Sequence, residues 1–257
     1  MRTLKPILLT ICLCMIGLAA KAGDRITIAA AADLKFAMDE VVKAFRVANP
    51  GAEVSVAYGS SGKFHTQIQQ GGPYDLFFSA DIAFPRALAQ AGQAGSPVQP
   101  YAIGRIVIWS TTVDASRLSL TSLADPRFAR IAIANPKHAP YGQRAQEALR
   151  ATSMWTKVES RLVFGENIAQ TAQFIQTGNA QVGIIALSLA LNPQLASKGG
   201  YALIPDNLHQ PLEQGFVITK RGENNPLARR FASFMSSRPA RSIMVNYGFV
   251  LPSDARK

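Results

Sequence analysis

The sequence predicts an α/β protein with two lobes around a ligand cleft, and three observations predict it. Short apolar runs alternate with helical patterns of 3.6-residue period, first over residues 25–91 and again over residues 131–186. A loop of shifted composition, residues 93–99, follows the first block, and an apolar run over residues 212–219 carries the chain out of the second. Strands in both blocks end in turns rich in small residues, where ligands of open parallel sheets sit.

Taken in order, residues 26–32 read as a strand, with Asp33 placed as N-cap of a helix to residue 48. Ala37, Val41, Ala44, Phe45 and Ala48 form that helix's apolar stripe, and Pro50-Gly51 stops it. Val54, Val56 and Tyr58 alternate as a strand, and a helix after Lys63 runs to Gly71-Gly72-Pro73. Leu76-Phe77-Phe78 has the uninterrupted apolarity of a strand buried on both faces, and a helix over residues 85–91 follows it. Residues 103–109 read as one apolar strand. The second block gives strands at 131–134, 161–164 and 182–186, helices at 143–152 and 168–177, and a further strand at 201–204. Helices over 226–236 and 239–246 close the chain and are expected to pack on the first lobe. No period of 20 to 50 residues repeats.

The most informative turn is Gly59-Ser60-Ser61-Gly62-Lys63. Two glycines bracket two hydroxyls at a helix N-terminus, which aims backbone N–H and side-chain O–H donors into one small space. An oxyanion needs that chemistry. A plain serine-capped turn uses the same residue types. Two stricter motifs fail: a nucleophile elbow needs glycine where Lys63 stands, and a Walker loop needs Ser or Thr where Phe64 stands. Binding is favoured over catalysis. Lys63 is assigned an outward role, setting the field rather than touching the anion. The turns at residues 30–33, 140–142 and 167–168 add further small residues and N–H donors, so each lobe contributes two turns to the cleft.

Residues 1–22 carry the features of a cleavable signal peptide. Arg2 and Lys5 precede an apolar core, and Ala20-Lys21-Ala22 supplies a small-residue cleavage site. Cleavage leaves 257 − 22 = 235 residues, and Cys12 and Cys14 leave with the leader. An exported chain without cysteine has neither disulfides nor thiolate metal sites and depends on its core. Net charge falls from +11 to +8, because Arg2, Lys5 and Lys21 are lost and no acid is. The remaining cations are dispersed, the densest set being Arg229, Arg230, Arg238 and Arg241, without interleaved aromatics. Nucleic acid is therefore not expected, and a mild field drawing small anions inward is.

At these turns the chain resembles the periplasmic molybdate-binding proteins of ABC importers. The matching runs are Ala30-Ala-Ala-Asp-Leu, Gly59-Ser-Ser-Gly, Pro73-Tyr-Asp-Leu-Phe-Phe-Ser-Ala-Asp, His138-Ala-Pro-Tyr-Gly, Gly165-Glu-Asn-Ile and Asn246-Tyr-Gly-Phe. Their order, more than any one run, is specific. The resemblance implies a class II periplasmic binding-protein fold that closes on a tetrahedral dianion, molybdate or tungstate, and delivers it to an inner-membrane ABC permease. It implies a periplasmic monomer with no cofactor or cationic metal. Carried over by position, the oxyanion ligands fall on Ala32, Asp33, Ser61, Tyr141 and Ile168, with Tyr141 and Ile168 offering backbone N–H groups. The implied division is residues 23–103 and 214–257 in lobe I and residues 104–213 in lobe II.

Two departures stand out. Asp33 occupies a turn where many members carry serine, or Asn or Thr slightly earlier. It is expected to cap its own helix and leave its N–H to the ligand. Ala186 stands where some members have a tyrosine, for which Tyr141 is the expected substitute. Other tetrahedral oxyanions (sulfate, thiosulfate, phosphate) are the alternative cargo. A secreted serine hydrolase, pairing Ser61 with His65 and Asp75 or Asp81, is the alternative from another class.

Overall fold

A computed structural model describes residues 25–197 and 199–252; the signal peptide expected over residues 1–22 lies outside them. Two five-stranded mixed sheets organise the chain. The first block supplies β1 (Arg25–Ala31), α1 (Lys35–Ala48), β2 (Glu53–Gly59), α2 (Ser61–Gln69), β3 (Leu76–Ser79), α3 (Ala83–Gln90) and β4 (Gln99–Gly104). The second supplies β5 (Ile106–Trp109), β6 (Ile131–Ala134), α4 (Pro140–Ala151), α5 (Trp155–Val158), β7 (Leu162–Gly165), α6 (Ile168–Gln176), β8 (Val182–Ala186), α7 (Leu187–Ala190), α8 (Pro193–Ala196) and β9 (Tyr201–Leu203). The chain then returns through β10 (Leu212–Ile218) and ends in α9 (Pro226–Phe234) and α10 (Arg238–Asn246).

Strand order is β2-β1-β3-β10-β4 in the first lobe and β7-β6-β8-β5-β9 in the second. In lobe I, β1 is parallel to β2 and β3, and β10 runs antiparallel to β3 and β4. Lobe II repeats the scheme, with β6 parallel to β7 and β8, and β5 antiparallel to β8 and β9. The parallel strands are the near-continuous apolar runs that burial on both faces demands: Leu76–Ser79, Ile131–Ala134 and Val182–Ala186 are buried throughout.

The single strand expected over residues 103–109 is two strands in different sheets. Ile103 pairs with Glu213 in lobe I, whereas Ile106–Trp109 pair with Ala186 back to Gly183 in lobe II. Continuous apolarity conceals the switch, because both halves are buried. The crossing passes through Gly104, where an added Cβ would lie 2.3 Å from the Tyr141 hydroxyl, so only glycine fits. The helix expected from residue 143 begins at Pro140, which suits a first helical turn and brings Tyr141 into it. Asp33 does not cap α1: it lies in a 3-10 turn, Ala32–Leu34, and no side-chain cap precedes the helix.

Each lobe has its own large core. In lobe I, α1, α9 and α10 pack on the sheet, and the Phe45 ring meets the Phe231 ring edge-on at 5.0 Å. The closing helices thus cover the first lobe as their apolar stripes demand. In lobe II the core includes the fully buried Trp109, Ile131, Ile133, Ile184 and Leu149. No helix among the described residues is long and apolar enough to cross a membrane. Phe45→Ala removes a fully buried ring that packs edge-on against Phe231 and Phe234 of α9 in the lobe I core. It should cost about 3–5 kcal/mol of unfolding free energy, read from the urea midpoint.

Candidate functional site

Turns from both sheets meet at one small pocket of about 10 Å³. Its wall is Ala31, Ala32, Asp33, Gly59, Ser60, Ser61, Ala80, Ala139, Pro140, Tyr141 and Ile168. All five residues carried over from the resemblance, Ala32, Asp33, Ser61, Tyr141 and Ile168, therefore lie on one wall, drawn from both lobes. That is room for about one water-sized group, which suits a compact ion and not a sugar or peptide.

Three helices begin at this cavity. Ser61 opens α2, Tyr141 stands second in α4 after Pro140, and Ile168 opens α6. First-turn N–H groups have no partner inside their own helix. Those of Ser61, Tyr141 and Ile168 make no other hydrogen bond within the described residues. Caps hold two of these turns in place: the Ser60 hydroxyl accepts from Lys63 N–H at 3.4 Å, and the Asn167 side-chain Oδ1 accepts from Gln170 N–H at 3.0 Å. The Ser61 hydroxyl accepts from Ala80 N–H at 3.0 Å, which leaves its own proton to point elsewhere. The positive ends of three helices thus converge without a cation in the wall.

The one charged group in the wall is Asp33, buried at 1% exposure. Its Oδ2 accepts from the Tyr141 hydroxyl at 2.9 Å and from Gln214 Nε2 at 2.7 Å. Its Oδ1 is buried and has no hydrogen-bond partner. Burial pushes the carboxyl up to about 6, opposed by the hydrogen bonds from Gln214 and Tyr141 and by the nearby backbone N–H groups of Asp33 and Leu34, which do not reach hydrogen-bond geometry with Oδ1. The expected capping role is therefore replaced by a buried link between lobes, in which the carboxyl takes its donors from Tyr141 and Gln214. The Tyr141 hydroxyl is committed to this link and is not the stand-in for a tyrosine at Ala186. Gln214 was not anticipated; a fully buried glutamine in the apolar run of β10 was the available signal. Its Oε1 accepts from Tyr101 at 2.7 Å, extending the network into the first sheet.

More bonds close the lobes over the cavity. Ser188 donates to the Asp33 carbonyl at 2.8 Å, and Gly62 N–H to the His138 carbonyl at 3.0 Å. Arg144 meets Asp81 at 3.3 Å. Lys63 pairs with Glu166 across the rim and stays out of the cavity wall, half exposed. The serine–histidine pair that forms is Ser60 Oγ with His138 Nδ1 at 3.0 Å, joining the two lobes. The pair weighed for hydrolysis does not form: His65 lies against Phe84, and its Nε2 has no partner. Asp75 accepts from Thr27 N–H at 2.7 Å, and Asp81 faces Arg144, so neither orients His65.

Comparison with known proteins agrees with this geometry. Residues 26–250 match the family model described as bacterial extracellular solute-binding protein. The chain is 33% identical to the molybdate-binding protein ModA of Azotobacter vinelandii over 239 residues, 92% of this chain and 94% of that one. It is 35% identical to ModA of Rhodobacter capsulatus over 203 residues, 78% of each chain. The solved structure of the Azotobacter vinelandii periplasmic molybdate-binding protein superposes with a TM-score of 0.83 at 30% identity, covering 88% of this chain and 99% of that one. Such proteins bind solutes and are not enzymes. An ordered set of donor turns, two lobes and a matching fold over nearly all the described residues make this chain a member of the ModA family of bacterial extracellular solute-binding proteins.

Proposed function

We propose that this protein captures molybdate, and tungstate with it, outside the cytoplasm and hands it to an ABC permease in the inner membrane. The observation that carries the proposal is the convergence of three helix N-termini, α2, α4 and α6, on one small pocket lined by both lobes. Its relatives in Azotobacter and Rhodobacter are named for molybdate binding. Ala32, Asp33, Ser61, Tyr141 and Ile168 form the binding set, Tyr141 and Ile168 through backbone N–H groups and Ser61 through N–H and hydroxyl. The protein acts as a periplasmic monomer after its leader is removed. The lobes, residues 23–103 with 214–257 and residues 104–213, hinge where the chain crosses between sheets.

Neutral donors suffice for a dianion. Hydrogen bonds to a charged group contribute about 1.5–3 kcal/mol each. About six give on the order of −12 kcal/mol, which is nanomolar affinity. Cavity size then separates molybdate from the smaller sulfate, while tungstate, nearly equal in size to molybdate, is accepted.

Calorimetry should show tight binding of molybdate and tungstate and weak or no binding of sulfate and phosphate. Tight sulfate binding would assign the protein to another oxyanion. Ser61→Ala should weaken molybdate by about tenfold or more, the loss of one charge-assisted bond; unchanged affinity would remove Ser61 from the site. Gly62→Ala places a Cβ 2.7 Å from the His138 carbonyl oxygen, where the lobes meet. It should weaken molybdate at least as much, with a larger radius of gyration in solution scattering of the molybdate-saturated protein.

A further inference from the structure

Asp33 sets a chemical problem inside this site. A buried carboxyl group with one oxygen satisfied twice and the other without a hydrogen-bond partner lines a pocket of small residues, serine hydroxyls and open helix N–H groups. Oδ2 spends its acceptor capacity on Tyr141 and Gln214. A buried oxygen without a partner is a costly omission in a folded protein. If that oxygen stayed ionised, it would face a doubly negative guest with no counter-charge.

The groups around it offer none. Tyr141 from α4 and Tyr101 from β4 are the titratable groups facing it, and burial holds both phenols neutral, well above their ordinary range. Gln214 from β10 is uncharged, and Ser188 from α7 meets only the Asp33 main chain. On its own element, Lys35 lies 3.9 Å from Asp39 and is partly exposed. No basic side chain pairs with Asp33 among the described residues.

We propose that Asp33 enters the occupied site as the neutral carboxylic acid, its Oδ1 proton donated to the bound oxyanion, so that Asp33 is a proton-linked specificity residue. The inference rests on the oxyanion function proposed above and adds a proton to it. The proton comes from solvent and goes to Oδ1; no covalent bond to the anion forms or breaks. Burial in the closed lobes already raises this carboxyl to about 6, and an adjacent dianion raises it further. With the lobes apart, the carboxyl is hydrated and ionised at neutral pH. Binding then takes up one proton, and the sign follows: affinity falls as pH rises between the carboxyl's ionisation in the free protein and in the complex. Within that window the slope approaches tenfold per pH unit.

The test is calorimetry of the full mature chain with sodium molybdate near pH 7.5, in buffers of different ionisation enthalpy. The slope of observed heat against buffer enthalpy counts protons. An uptake near one per molybdate, falling to near zero in Asp33→Asn, is the expected result. Asparagine offers an N–H where the acid offered O–H but cannot titrate. Molybdate binding without proton uptake overturns the proposal and leaves the molybdate function standing, as does uptake that persists in D33N. Should D33N lose binding altogether, infrared difference spectra of the unsubstituted protein decide. A new protonated-carboxyl band on adding molybdate supports the neutral acid, and its absence overturns it. A chain that binds phosphate or sulfate but not molybdate overturns the cargo assignment itself, and the proposal with it.

Discussion

Three helices in this protein begin at the same point and leave their first N–H groups without a partner from the chain. Most buried polar groups in folded proteins are paired, so leaving Ser61, Tyr141 and Ile168 as open donors has a price that only a guest can return. The rest of the architecture serves that concentration of donors. Parallel strands point their C-terminal ends at the cleft, caps at Ser60 and Asn167 hold the turns, and glycines at 62 and 104 let neighbouring elements come close enough to seal it.

Polar contacts between lobes do much of the sealing, beside an apolar seam where Ala31, Ala32 and Ala80 of the first lobe join the core of the second. Asp33, Tyr141, Gln214 and Tyr101 form a buried chain of hydrogen bonds, and Ser188 joins it through the Asp33 main chain. At the rim, His138 accepts from Gly62 and meets Ser60, while Lys63 pairs with Glu166. Polar contacts of this kind exchange readily for water when the lobes part, whereas each lobe's own apolar core keeps it intact. A binding protein needs that division: rigid halves and a boundary that can be opened. The Lys63–Glu166 pair is exposed at the rim and contributes little by itself. The buried network carries more, because its hydrogen bonds lie in a medium of lower dielectric than the rim.

Asp33 shows how one residue can belong to both systems. It touches the second lobe through Tyr141 and lines the cavity at the same time. The contact between lobes and the wall of the pocket thus share a single titratable group.

Much of this was legible in the chain. The α/β alternation and the buried strands at Leu76–Ser79 and Ile131–Ala134 follow from local periodicity, which is a property of neighbouring residues. The donor turns were legible for the same reason, since Gly59-Ser-Ser-Gly specifies its backbone locally. Tertiary structure alone decided where residues 99–109 divide between two sheets, because two buried apolar strands in succession read as one. It alone decided the partner of the Asp33 carboxylate, which lies 108 residues away at Tyr141 and 181 away at Gln214. Local pattern dictates which backbone groups are left open. Only packing, acting across the whole chain, dictates what they and the side chains beside them finally meet.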